Sequence, residues 1–286
     1  MVDKKPRINF YKNLNKIIKL TLKEDVGVGD LTSLATIPQE QIGIGEFYAK
    51  ADGIIAGLKV VNEVCKIVDP TLVFTTTVID GDKVSNGTAF AKITGSVRSI
   101  LMAERTALNF LQRMSGIATA TDKYIQAVKP YKAKLLDTRK TVPGLRMLDK
   151  LAVKLGGGVN HRIGLYDMAL IKDNHIAAVG SITEAINRVR EFDKGAHQIE
   201  VEVKNIEELK EALTQKPDRI MLDNMSIGDM KEAVDITNSA IPLEASGNVN
   251  LNTINSIAST GVDYISVGAL THSVKAMDIS LEITAN

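Results

Sequence analysis

Cysteine occurs once, at Cys65, so an intrachain disulfide and any C-x-x-C metal or redox site are excluded. Within the apolar pattern VVNEVCKIV that residue reads as a small buried hydrophobe. An excess of charge is also lacking: Lys plus Arg number 35 and Asp plus Glu 34, a net +1. With no global field, neither nucleic acid nor a membrane is expected as a partner, and any anion site must be local. No run approaches the roughly 20 apolar residues of a membrane span. The opening MVDKKPRINFYKNLNKIIKL scatters its charges and has no apolar centre. It does not read as a signal peptide, and a cytoplasmic location is expected. Several catalytic signatures are missing too. No G-x-G-x-x-G follows a strand and no G-x-x-x-x-G-K-[ST] occurs. There is no nucleophile elbow, no Ser-His-Asp set and no close histidine cluster suited to zinc.

What is present is a soluble globular balance, 44% hydrophobic and 24% charged over 286 residues, enough for one large domain or two ordinary ones. The C-terminal half has a rhythm. AKLLDTR precedes the helical GLRMLDKLAVKL, and MALIKD precedes SITEAINRVREF, where Ser181 and Glu184 are placed as a capping box. QIEVEV precedes NIEELKEALTQ with Asn205 as N-cap, RIMLDN precedes SIGDMKEAVDITN, IPLEASG precedes NLNTINSIAST, and YISVGAL comes last. Six β-α units between about Lys134 and Leu270 imply parallel strands. Polar groups at every strand end favour a barrel over an open sheet, because barrel enzymes place their chemistry at that face. With six units this is an incomplete, TIM-like α/β barrel.

The N-terminal half reads as an α+β layered domain. IGIGEFYAKADGIIAGLKVVNEVCKIV gives a strand, a turn at Asp52-Gly53, a short strand and a helix. LVFTTTVIDGDKVSNGTAFAKITG gives two strands as a plain hairpin around a Gly-Asp turn, and SVRSILMAERTALNFLQRMSG a long helix. The join is expected near Ser115-Gly116. Residues 1–115 then form the N-terminal domain, joined by the tail 272–286, and residues 116–271 form the barrel.

The cations gather between Asp137 and His175. Lys150 and Lys154 read as a solvated helix face. Arg139, Arg162 and Lys172 lie at strand ends or beside the Gly156–Gly158 loop, where side chains point inward. Arginine binds carboxylate and phosphate bidentately, so several in one pocket imply a substrate with more than one anionic group. His161, beside Arg162, is the best histidine candidate. Ser246-Gly247-Asn248 and Val267-Gly268-Ala269 fall in the last two β-α loops, the usual phosphate site of barrels, with a helix expected to open near Asn250. Glu202 and Asp223 end neighbouring strands. They could bind ribose hydroxyls, steady a developing cation or meet Mg²⁺ through water.

Eight segments, in order along the chain, resemble the quinolinate phosphoribosyltransferase family. They are EDVGVGDLTS (Glu24–Ser33), AERTALNFLQRMSGIAT (Ala103–Thr119), DTRKTVPGLR (Asp137–Arg146), GGGVNHRIGLYDMALIKDNH (Gly156–His175), EVEV (Glu200–Val203), LDN (Leu222–Asn224), EASGN (Glu244–Asn248) and SVGALTHS (Ser266–Ser273). The resemblance implies transfer of phosphoribosyl from 5-phosphoribosyl 1-pyrophosphate to quinolinate with loss of CO₂, giving nicotinate mononucleotide for NAD synthesis, with Mg²⁺ arriving on the pyrophosphate. It implies a quinolinate pocket of Arg105, Thr138, Arg139, His161, Arg162 and Lys172. Lys140, Glu202 and Asp223 are implied at the phosphoribosyl part, and residues 246–248 and 267–269 at its 5′-phosphate. Lys140, Lys172, Glu202 and Asp223 are the catalytic candidates. A two-fold homodimer is implied, in which Arg105 enters the neighbouring chain's barrel. Two alternatives remain at this point. One is a paralogue on the same scaffold with another acceptor, such as the phosphoribosyltransferase-like protein associated with molybdate transport. The other is a non-catalytic phosphometabolite-binding barrel, which would keep the two small loops without needing Lys172, Glu202 and Asp223.

Overall fold

A computed structural model describes residues 10–285. In chain order the elements are α1 (Phe10–Val26), α2 (Leu31–Thr36), β1 (Ile42–Ala49), β2 (Gly53–Ile54), α3 (Leu58–Val68), β3 (Val73–Thr76), β4 (Lys83–Val84), β5 (Ala89–Ser96) and α4 (Val97–Val128). There follow β6 (Lys134–Leu136), α5 (Arg146–Leu155), β7 (Ala169–Ile171), α6 (Asp173–Val179), α7 (Ile182–Asp193), β8 (Ile199–Val203) and α8 (Ile206–Gln215). The last are β9 (Arg219–Asp223), α9 (Ile227–Thr237), β10 (Leu243–Ser246), α10 (Ile254–Ala258), β11 (Tyr264–Ser266), α11 (Ala269–His272) and β12 (Ile279–Ala285). The chain divides into two compact units. One takes residues up to Ala120, Met147–Gly156 and the chain from Val274 on; the other takes Thr121–Arg146 and Gly157–Ser273.

The first unit is built on an antiparallel sheet in the order β12-β1-β5-β3. Alternation along β1 buries Gly43, Gly45, Phe47 and Ala49 on one face. Phe47 meets Phe74 edge-on at 5.9 Å and Phe90 at 6.2 Å. On the other face Glu46 pairs with Lys92 across the β1–β5 register at 2.7 Å. α4 buries Ile100, Ala103, Ala107, Leu111, Met114 and Ala118, the spacing of one helical face. Cys65 is buried on α3, and burial pushes its thiol up to about 12, so it is inert.

Three expectations for this unit change. The stretch from Leu72 to Gly95 makes three strands, because β4 leaves the expected hairpin to pair with β2 while β3 pairs with β5. α4 does not end at Ser115-Gly116 but runs on to Val128. The Ser115 hydroxyl donates to the Ala56 carbonyl and accepts from the Ala56 N–H, and a methyl on Gly116 would overlap the Lys275 carbonyl. These two residues are therefore packing positions and not a helix stop. Gly116→Ala should cost about 1–3 kcal/mol, read as a lower midpoint in urea; an unchanged midpoint would show that the tail yields freely. Finally, residues 147–156, read as part of the barrel, group with the first unit, and Lys150 is buried, not solvated. There Arg113 donates both Nε–H and Nη2–H to the buried Asp149, at 2.9 and 2.8 Å.

The second unit is an incomplete TIM-like barrel. Its six strands are parallel, in the order β6-β11-β10-β9-β8-β7. β6 and β7 are the ends of this sheet, and Val159 bridges Leu136 at the β6 end. Ser181 Oγ and Asn205 Oδ1 cap α7 and α8 by accepting from Glu184 N–H and Glu208 N–H. Two helices differ from expectation. α6 inserts between β7 and α7. α10 has only five residues and starts at Ile254, because Asn250 and Thr253 spend their side chains on a local turn: Asn250 Oδ1 accepts from Asn252 N–H and Thr253 Oγ1 from Asn250 N–H. Among the described residues no helix is long and apolar enough to cross a membrane.

Candidate active site

Period-two alternation decides what the barrel strands show to each face. Val201, Val203, Ile220, Leu222, Leu243, Ala245 and Ile265 are buried in one phase. Glu200 and Glu202 share the other phase with Arg219, Met221, Asp223, Glu244, Ser246, Tyr264 and Ser266 in the paired registers. Charged residues there contradict the apolar expectation for a parallel core, so something other than packing keeps them.

At the strand ends the cations converge. Arg162 is buried, and its pKa is lowered first by that burial and then by the like charge of Arg139. Its Nη1–H donates to the Met168 carbonyl at 3.1 Å. The Nε–H groups of Arg139 and Arg162 are both buried without a protein acceptor. An unpaired buried donor costs about 1–3 kcal/mol, so two side by side mark a place built for an anion. Lys172, at the N-cap of α6, lies 3.5 Å from Glu202. Burial raises the Glu202 pKa most; Lys172 lowers it and Asp223 raises it, so all three charges meet.

The loops are tied down from below. Asp137 accepts from His161 N–H at 2.8 Å and from Asn160 Nδ2 at 2.7 Å. Asp167 accepts from Ile163 N–H and Gly164 N–H. Arg146 donates to the Ile163 carbonyl and to the Thr141 hydroxyl. Thr138 Oγ1 accepts from Lys140 N–H at 3.0 Å, so this hydroxyl shapes the turn that presents Lys140. The Thr271 hydroxyl donates to the Lys140 carbonyl at 2.7 Å, and the Lys140 stem lies over Gly268. Lys140 is thereby brought to the Val267-Gly268-Ala269 loop. In the Ser246-Gly247-Asn248 loop Gly247 has φ 99°, and a methyl there would run into Asn224. Asn248 Nδ2 donates to Asn224 Oδ1 at 3.2 Å, linking that loop to the end of β9. With α10 of five residues and α11 of four, helix dipoles add little here, and an anion would meet local N–H groups.

The likeness to known proteins can be set against this geometry. The family model "Quinolinate phosphoribosyl transferase, C-terminal domain" matches residues 117–282, and "Quinolinate phosphoribosyl transferase, N-terminal domain" matches residues 30–115. The chain belongs to the quinolinate phosphoribosyl transferase family. A curated relative, quinolinate phosphoribosyltransferase [decarboxylating] 1b of Nicotiana tabacum, is 48% identical over 98% of this chain and 85% of its own length. A probable nicotinate-nucleotide pyrophosphorylase [carboxylating] of Bacillus subtilis is 43% identical over 95% of this chain and 93% of its own. Among solved structures, the nicotinate-nucleotide pyrophosphorylase of Francisella tularensis superposes with a TM-score of 0.91 at 41% identity, covering 99% of both chains.

Within this family member, most residues that the sequence singled out lie in the barrel unit at one end of the strands. Arg105 lies exposed on α4, in the other unit, the half of the chain where the sequence placed it. The reading of His161 is narrowed. His161 is buried, and both ring nitrogens face protein: Nδ1 accepts from Arg162 N–H at 2.7 Å, and Nε2 lies 3.0 Å from Glu200. It can border the pocket with its ring but is turned away from donating to a substrate. The sequence reading missed Glu200 and Arg219. The signal was available, since EVEV puts Glu200 on the same face as Glu202, one layer deeper.

Glu200 and Glu244 lie together with no exposure. Burial first, then the Glu200 charge, pushes Glu244 from 4.5 up to about 7. Its protonated form therefore favours the fold. That contribution is complete below about 4.5, falls as pH rises and is lost through about 7. The span is on the order of 3 kcal/mol. Urea unfolding of wild type against Glu244→Gln should show wild type losing ground between pH 5 and 8. A pH-independent difference would mean that Glu244 ionises there at no cost.

Proposed function

We propose that this chain transfers the phosphoribosyl group of 5-phosphoribosyl 1-pyrophosphate to quinolinate, releasing pyrophosphate and CO₂ and leaving nicotinate mononucleotide. The observation that carries the reading is the pair of buried, acceptor-less Nε–H groups on Arg139 and Arg162, with Lys172 at a neighbouring strand end. A dicarboxylate supplies the acceptors that two guanidinium groups and an ammonium require.

In this reading Arg139, Arg162 and Lys172 grip the two carboxylates and aim the ring nitrogen at the sugar C1. Alignment is the main contribution, since the departing pyrophosphate leaves an oxocarbenium-like sugar and no covalent nucleophile is needed. Lys140, over the Gly268 loop, and the residues 246–248 and 267–269 hold the phosphoribosyl phosphates. Glu202 and Asp223, half-buried on adjacent strands, face the sugar. Two neighbouring carboxylates suit the oxygen preference of Mg²⁺, held directly or through water. When bound with the pyrophosphate, Mg²⁺ neutralises charge on the leaving group. Once the ring nitrogen is alkylated it is positive. That charge stabilises the electron pair left on the adjacent ring carbon when the carbon–carboxylate bond breaks, and a proton then takes that pair, so that hydrogen replaces CO₂. Incubating the protein with quinolinate, 5-phosphoribosyl 1-pyrophosphate and Mg²⁺ should yield nicotinate mononucleotide by mass. No product, with every component verified, would refute the reading.

The active form is a homodimer with shared sites, each Arg105 serving the barrel of the other chain. Support comes from Arg105 itself, an exposed arginine on a helix whose neighbour Glu104 is half-buried. Mixing Arg105→Ala with Lys172→Ala protein should recover activity that neither homodimer has, because one site of the mixed dimer is intact. Verified subunit exchange without recovery would assign Arg105 to its own chain or to no site.

A further inference from the structure

Beneath the cationic pocket runs a chain of buried polar side chains that the proposed chemistry does not use. The Arg219 guanidinium stacks on the Tyr264 ring at 4.2 Å and donates through Nη1 to Glu244 Oε2 at 2.9 Å. Glu244 Oε2 is 3.5 Å from His161 Nε2, and Glu200 Oε2 is 3.0 Å from it. At the far side of the ring, Nδ1 accepts from the N–H of Arg162. Because Nδ1 is an acceptor, the ring proton sits on Nε2, the nitrogen that lies against the two carboxyl groups. β9, β10, β11 and β8 thus each contribute one link, and the last link is the backbone of a pocket arginine.

A barrel interior at this depth is ordinarily filled with branched apolar side chains. Replacing such a polar group costs little stability if its partners go with it, so stability alone does not account for retaining the chain. Nor does it suit a divalent cation: His161, Glu200 and Glu244 cluster closely enough to hold one, but Arg219 already brings a positive charge to Glu244.

We infer that Tyr264, Arg219, Glu244, Glu200 and His161 act as a positioning strut, fixing the Arg162 backbone so that its guanidinium meets the acceptor carboxylate in register. Tyr264, Arg219, Glu244 and Glu200 need not touch substrate, and His161 borders the pocket only with its ring. This rests on the proposed reaction, and it makes acceptor affinity, not phosphoribosyl affinity, the property the strut controls.

The test compares His161→Phe, which keeps a ring but loses both nitrogens, with Glu200→Leu and Glu200→Gln, each checked for a cooperative thermal melt. His161→Phe and Glu200→Leu should raise the KM for quinolinate about tenfold or more, the size of effect a sub-ångström misplacement produces, while the KM for 5-phosphoribosyl 1-pyrophosphate stays within about twofold. Glu200→Gln keeps an acceptor for the Nε2–H and should remain near wild type on both. A folded His161→Phe protein with wild-type KM for quinolinate, or equal rises for both substrates, would overturn the strut. If Glu200→Leu does not fold, His161→Phe decides alone. Wild type that fails to use quinolinate would refute the reaction reading itself, a distinct result.

Discussion

Lys172→Ala is expected to lower kcat by about 10²-fold or more, the cost of losing a group that grips the acceptor and aligns its ring nitrogen with C1. The melting temperature should stay close to wild type. Lys172 is 46% exposed at its side chain, and its contact with Glu202 is a loose 3.5 Å. Partly exposed pairs of that kind contribute about 0–1 kcal/mol. Two consequences separate catalysis from scaffolding here. If Lys172 serves both substrates from the end of β7, its loss lowers turnover far more than it lowers stability. If it merely neutralises Glu202, a large drop in melting temperature with normal residual turnover follows instead. Steady-state kinetics and a thermal melt on one preparation distinguish them.

Nicotinic acid in place of quinolinate should react at least about 10³-fold more slowly in kcat/KM. A site built to pair buried donors rejects an analogue lacking the acceptor far more strongly than an apolar pocket rejects a missing methylene. The Nε–H groups of Arg139 and Arg162 have no protein acceptor. With one carboxylate gone, a guanidinium Nε–H stays buried and unpaired while its like-charged neighbour remains beside it. Comparable rates for the two acceptors would show that these arginines do not read the second carboxylate.

The parts of the fold legible in the sequence are those governed by local chemistry. Alternating Val and Ile runs located the six barrel strands, and Ser181 and Asn205 marked helix starts because a short oxygen-bearing side chain satisfies a free N–H there. What escaped depends on contacts distant in sequence. Ser115 and Gly116 look like a helix stop until Ala56 and the Lys275 carbonyl are in place against them. Lys150 looks solvated on a helical wheel, yet the helix packs that face inward. Asn250 promised a helix start but closed a turn instead.

The site divides in the same way. Arg139, Arg162, Lys172, Glu202 and Asp223 were visible as charges at strand ends, where barrels carry chemistry. Glu200 could have been read from EVEV, which sets it on the face of Glu202, but Arg219 and the orientation of His161 could not, because a charged residue at the start of a strand reads as an edge or a solvated face. Only the parallel register, which sets Glu200 against Arg219 and Glu244 against Tyr264, shows that they meet inside. The family resemblance supplied roles that charge placement alone left at a phosphorylated, multiply anionic substrate.

The most direct measurement is a crystal structure of the protein with quinolinate. The two carboxylates should lie within hydrogen-bond distance of the Arg139 and Arg162 guanidinium groups and of Lys172 Nζ, with His161 still turned toward Glu200. Quinolinate bound elsewhere, or held in the barrel with Arg139 and Arg162 contributing no hydrogen bond to it, would contradict the account.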